Sequence, residues 1–88
     1  MKIGYRESFK KDLLKITDKK LLTRIASEIN NIQDAKNLTE ISNAKRLRGK
    51  GGYFKIRVGD YRLGLIAKDD VVTFVRFLHR KEIYRYFP

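Results

Sequence analysis

Two runs of alternating residues, Tyr53–Val58 and Tyr61–Ala67, are separated only by Gly59-Asp60, and they constrain this chain more than any other feature. Aromatic and β-branched residues at period two around a Gly-containing pair predict a β-hairpin with a two-residue loop. Such a loop sets the register: Val58 opposite Tyr61, Arg57 opposite Arg62, Ile56 opposite Leu63, and Lys55 opposite Gly64. Because side chains alternate across a strand, Phe54, Ile56, Val58, Tyr61, Leu63 and Leu65 then share an apolar face. Lys55, Arg57 and Arg62 share the other. Two arginines directly opposed cost stability, and an anion would compensate them. Gly64, without a side chain, is expected to leave room for one beside Lys55. A basic strand face is also what a plain solvated surface looks like, and salt makes it tolerable. A functional reading needs other residues to converge there.

The net charge supports looking for them. At 88 residues and 42% hydrophobic, the chain is expected to be a single domain spanning 1–88 with a modest core. Its formal charge of +11 implies a polyanionic partner: nucleic acid, a ribosome, an anionic membrane or an acidic protein. No run is long enough to span a membrane, and no signal peptide is expected at the N-terminus. With no cysteine, neither a disulfide frame nor a thiolate metal site is possible, which fits a cytoplasmic protein. One histidine and scattered acids give no reason to expect a metal or another cofactor.

Around the hairpin the chain reads as α+β. Lys2–Tyr5 is a candidate strand, expected at the sheet edge or beside the last strand. Ser8 is a candidate cap for a helix carrying Phe9, Leu13 and Ile16, and Asp18 for a second carrying Ile25, Ile29 and Ile32. From Asn30 to Asn43 the helical period fades, with Leu38, Ile41 and Leu47 spaced as anchors of a loop. Lys45, Arg46, Arg48 and Lys50 then form a basic run. It reads either as a segment tracking a phosphate backbone or as an ordinary solvated loop.

After the hairpin, Lys68-Asp69-Asp70 makes a turn into Val71–Leu78. If Lys68 pairs with Val71, a regular ladder puts Val72, Phe74 and Leu78 in the core and His79 on the face of Arg62. It also puts Arg76 on the apolar side, a misfit that a bulge near Arg76 would relieve. The tail from His79 to Pro88 is expected to make one or two helical turns. Arg80 and Tyr84 would lie on one side, with Ile83 and Phe87 pointing at the core. The expected fold is thus two N-terminal helices on one face of a small, twisted, mainly antiparallel sheet, with a short helical tail.

This order of elements resembles the RelE/ParE superfamily of bacterial and archaeal type II toxins. The resemblance covers nearly the whole chain and rests on three blocks: Leu47-Arg48-Gly49, the segment Tyr53 to Arg62, and His79-Arg80-Lys81-Glu82-Ile83-Tyr84. It implies a toxin silenced by a small acidic antitoxin in a hetero-oligomeric complex. RelE-like members cleave mRNA, often in the ribosomal decoding site, whereas ParE-like members poison DNA gyrase. Lys55, Arg57, Arg62, Arg80 and Tyr84 match RelE's working positions, although the stretch from the Arg to the Tyr is shorter here. His79 has no counterpart in RelE itself, but other nuclease members use a histidine near the C-terminus.

The implied chemistry is attack of a ribose 2′-OH on the adjacent phosphorus, giving a 2′,3′-cyclic phosphate and a 5′-OH. It needs a base, an acid, and cations for the developing charge. Lys55, Arg57, Arg62 and Arg80 can form the clamp, since arginine's planar fork suits phosphate oxygens. Tyr84 and His79 are the two candidate proton carriers. A free tyrosine titrates near about 10 and would need surrounding cations, while histidine at about 6.5 would not. A histidine bonded to a backbone group and a tyrosine packed over the sheet are the plain structural alternatives. Tyr53 and Tyr86 could stack on bases or simply pack. Two other functional classes remain open at this stage: a gyrase poison, and an RNA- or ribosome-binding module without catalysis.

Overall fold

In the computed structural model, which describes residues 1–41, 43–49 and 51–88, the central hairpin pairs in the register its two-residue loop dictates. Strands β3 (Tyr53–Val58) and β4 (Tyr61–Lys68) join Arg57 to Arg62 and Lys55 to Gly64. Gly59 has φ of 61° and Asp60 does not share that sign, the pattern of a loop whose first position must be glycine. A Cβ there would also stand 2.9 Å from the Arg24 guanidinium.

Among the described residues, five strands form one sheet in the order β1-β5-β4-β3-β2. β1 (Lys2–Tyr5) is at once an edge strand and the parallel neighbour of β5 (Val71–His79). The opposite edge is β2 (Ala44–Arg46), antiparallel to β3. The basic run is therefore partly a strand: Lys45 pairs with Lys55, and Arg46 with Phe54. Short charged edge strands resist pairing with other chains, and their lack of apolar alternation hides them in the sequence.

α1 (Glu7–Leu14) and α2 (Lys19–Asp34) cover one face of the sheet. Asp18 caps α2, accepting the Lys20 and Leu21 N–H groups at 2.9 and 3.3 Å. The helix runs past the point where its period fades, because Ile32 still reaches the core and is fully buried. Phe9, Ile25 and Ile32 meet Ile56, Leu63, Leu65 and Phe74 in the core, and burying each such side chain contributes about 1.5–3 kcal/mol. Ser8 does not cap α1. Its hydroxyl donates instead to the Val75 carbonyl at 2.6 Å.

That bond marks the main departure from a regular ladder. Leu65 faces Phe74 as expected, but Gly64 faces Arg76, so Val75 is an extra residue in β5. One inserted residue turns every later side chain to the other face. Phe77 rather than Leu78 becomes core, and Arg76 leaves the apolar side. Past the end of β1, α1 flanks β5 and satisfies it: the buried Asp12 carboxylate accepts Phe77 N–H at 2.9 Å. It also takes two bonds from Arg76, at 2.8 and 2.9 Å. The Asp12 hydrogen bond raises the Arg76 pKa above its ordinary value.

The tail closes the other face. α3 (Ile83–Tyr86) and the residue after it bury Ile83 and Phe87, yet neither belongs to the helix-side core cluster. The Phe87 ring sits over Gly64, so the gap expected to admit an anion is filled by an aromatic side chain. Among the described residues no helix is long and apolar enough to cross a membrane.

Candidate active site

The sheet face away from α1 and α2 carries a cleft of about 670 Å³. Its wall is built from four elements. β3 supplies Lys55 and Arg57, β4 supplies Arg62, β2 supplies Lys45, and the tail supplies Arg80, Lys81 and Tyr84. Strand alternation puts the first three on one face, and the cross-strand register makes them adjacent. Asn43 completes the lining; its amide donates to the Arg57 carbonyl and to Glu28, each at 3.2 Å, tying the loop to β3 and α2.

Backbone contacts hold these cations in place. The Arg62 guanidinium folds toward the hairpin loop and donates to the Gly59 and Tyr61 carbonyls at 3.1 and 2.9 Å. Arg80 N–H donates to the Asp60 carbonyl at 2.7 Å, fastening the tail to the same loop. Lys55 Nζ donates to the Tyr84 hydroxyl and lies 4.4 Å from the centroid of its ring. Burial lowers the Lys55 pKa from its ordinary value, and the nearby Arg62 and Lys45 charges lower it further. Among the described residues, the ion pairs are Lys10–Glu7, Arg76–Asp12 and Arg85–Glu82, none of them with a cleft cation. Among the described residues, six cations surround one exposed phenol with no carboxylate in the lining, a concentration of positive charge that suits a polyanion.

The structure thus brings Lys45, Lys55, Arg57, Arg62, Arg80 and Tyr84 together. It separates others. Arg46 points to the opposite face, its guanidinium 5.2 Å from the Phe54 ring centroid. Arg48 lies in an exposed turn that does not line the cleft, and Lys50 lies outside the described residues. His79 is the larger correction. The bulge at Val75 pairs it with Tyr61, so it stands on the helix side, away from Arg62. There it borders a separate pocket of about 170 Å³ and meets the Tyr61 ring edge-on, 5.5 Å between centroids. Its Nδ1 accepts Lys81 N–H at 3.2 Å.

Tyr53 packs 5.7 Å from Phe87, and Tyr86 takes the Arg76 guanidinium at 5.3 Å, so both rings have structural partners. Lys81 and Asn43 are lining residues that sequence reasoning missed. Lys81 could have been found from its place beside Arg80, whereas nothing in the sequence marks Asn43.

Comparison with known proteins gives this cleft its context. Residues 3–84 match the family of the ParE toxin of type II toxin–antitoxin systems, parDE. Over 89 aligned residues, covering 100% of both proteins, the chain is 38% identical to Toxin RelE3 of Methanocaldococcus jannaschii. The fold superposes with a TM-score of 0.81 on the RelB-RelE antitoxin–toxin complex from Methanococcus jannaschii. That match has 35% identity and covers 97% of this chain and 99% of the other. The archaeal RelE-RelB complex from Pyrococcus horikoshii has the same fold, with a TM-score of 0.71 and 20% identity over 90% of this chain and 93% of the other. The full-length identity and the superposition agree with the three sequence blocks, and this chain belongs to the RelE/ParE superfamily of type II toxin–antitoxin toxins, on its RelE-like side.

Proposed function

We propose that the protein is an mRNA endoribonuclease that acts in the cytoplasm on the ribosome and halts translation. The observation that carries this reading is the Lys55–Tyr84 contact inside a cleft of further cations. RNA backbone entering the cleft would place a scissile phosphate among Arg57, Arg62 and Arg80, whose forks can hold its non-bridging oxygens as charge grows. Tyr84, as the phenolate, takes the proton of the 2′-OH as that oxygen bonds to phosphorus. Lys55 supports the phenolate through its hydrogen bond. As the bond from phosphorus to the 5′ oxygen breaks, Lys55 as the ammonium gives that oxygen a proton. A lysine whose pKa is lowered by burial and neighbouring cations is a better acid than a free one. Return of the proton from Tyr84 to Lys55 resets the pair.

A cognate acidic antitoxin is the second partner in this proposal. The +11 charge favours such a partner, and the similar RelE proteins from Methanococcus jannaschii and Pyrococcus horikoshii are seen in complexes with RelB. The ParE family match motivates one competing reading, a gyrase poison, which would need no acid–base pair. Purified protein, ribosomes and a defined mRNA, followed by mapping of new 5′ ends, test the proposal. Discrete cleavages with 5′-OH ends are expected. Intact mRNA, together with inhibited DNA supercoiling by gyrase, would replace it with the competing reading.

A further inference from the structure

Gly64 lies directly opposite Lys55 in the hairpin, and it is buried. What covers it is Phe87: a Cβ built on Gly64 would stand 2.8 Å from three atoms of that ring. Real Cβ contacts are not that short, so glycine at 64 and an aromatic at 87 form an interlock. Phe87 is only 2% exposed, packs on Tyr53 and returns its N–H to the Ile83 carbonyl at 2.8 Å. The ring therefore anchors the short helix that carries Tyr84 beside Lys55.

We propose that Phe87, seated on Gly64, is a positioning residue: it holds Tyr84 against Lys55 and keeps water from the sheet beneath that pair. The assignment deepens the nuclease reading and rests on it for its catalytic consequence. Its physical consequence stands separately. Partial burial of Lys55 is the first cause of its lowered pKa, and the Phe87 ring stands over the position opposite it. The charged and titratable groups facing Lys55 are Lys45 from β2, Arg62 from β4, and Arg80, Lys81 and Tyr84 from the tail, with Arg57 on its own strand. Changes at 64 and 87 leave each of these groups chemically intact, so a shift in Lys55 titration reads the loss of the ring's cover together with the loss of the tail's placement of Arg80, Lys81 and Tyr84.

Two readouts test this on the full chain, with Phe87→Ala, Phe87→Leu and Gly64→Ala. The first follows the Lys55 ammonium by NMR titration. Wild type and Phe87→Leu should titrate below ordinary lysine, and Phe87→Ala and Gly64→Ala should move back toward it. The second is single-turnover mRNA cleavage with saturating protein and ribosomes. Phe87→Ala and Gly64→Ala should lose about 10²-fold or more, the scale of a misplaced proton carrier, while RNA affinity stays and Phe87→Leu largely restores the rate. If Gly64→Ala does not fold, Phe87→Ala decides alone. A folded Phe87→Ala protein whose Lys55 titrates where the wild type does overturns the proposal, whatever its rate. Absence of cleavage by wild type would instead remove the nuclease reading, and the titration would still decide the role of the ring.

Discussion

Lys55 and Tyr84, 29 residues apart in sequence, meet through a hydrogen bond from ammonium to phenol, with the nitrogen also 4.4 Å from the ring centroid. The lysine stands on a central hairpin and the tyrosine on the last helical turn. Their contact therefore depends on the tail docking back across the sheet. It also makes the pair separable by mutation, because ring and hydroxyl can be removed one at a time.

Tyr84→Phe keeps the ring and its cation contact but deletes the hydroxyl. The side chain is 66% exposed, so stability should change by less than about 0.5 kcal/mol. If the hydroxyl carries the 2′ proton, single-turnover cleavage should fall by about 10²–10⁴, with RNA affinity unchanged. Equal rates for the two proteins at saturation would remove Tyr84 from the chemistry.

Lys55 should reveal itself in the pH dependence of stability. Its folded pKa lies below the unfolded value of 10.5 because burial, Arg62 and Lys45 disfavour the charged form. Between the folded pKa and 10.5 the unfolded chain binds more protons, so raising pH stabilises the native state in that window. Below the folded pKa the full cost of a charged Lys55 is present. Lys55→Met lacks this term: its advantage over wild type in thermal melts should shrink as pH rises through the window. A gap independent of pH would contradict the assigned environment.

Asp12 is the structural counterpart of these functional charges. It is 3% exposed, pairs with Arg76 through two bonds and receives Phe77 N–H at the β5 bulge. Asp12→Ala strands a half-buried guanidinium and a buried N–H together. The loss should be about 3–5 kcal/mol in denaturant unfolding, and Asp12→Ala/Arg76→Met should recover part of it. A cost under about 1 kcal/mol would show that the bulge does not need the carboxylate.

How far the sequence exposes this architecture follows from where its constraints are local. The hairpin register is legible because a two-residue loop and strict alternation leave only one pairing, and Arg57 opposite Arg62 follows from it. Asp18 is legible as a cap for the same reason. His79 stands on the opposite face from the one a regular ladder predicts, because one inserted residue, Val75, reverses everything after it. The misfit of Arg76 on an apolar face is the trace of that insertion in the sequence, and the carboxylate that receives Arg76 lies 64 residues earlier, a tertiary partner. Gly64 misled in a similar way. A missing side chain shows that something comes close, and the sequence does not say whether that is a ligand or the chain's own Phe87. Lys45 and Arg46 looked alike as a basic run, but strand β2 sends them to opposite faces.

Arg62 separates catalysis from binding. Opposed to Arg57, it would by charge alone be better removed. The structure adds a compensating term, since its guanidinium donates to the Gly59 and Tyr61 carbonyls. Both bonds are only part-buried, so Arg62→Ala should shift stability by no more than about 1 kcal/mol in either direction. The kinetic effect should be far larger. Losing a charge aimed at a developing phosphorane typically costs on the order of 10²–10³ in rate. A module that only binds RNA would lose affinity in a salt-dependent way and have no cleavage step to slow. Single-turnover cleavage at saturating protein, with melts of both proteins and affinities at two salt concentrations, distinguishes these cases. The expected result is a folded variant that saturates with RNA and cleaves it at least about a hundredfold more slowly. A folded variant that cleaves as fast as wild type once saturated would place the scissile phosphate away from Arg62.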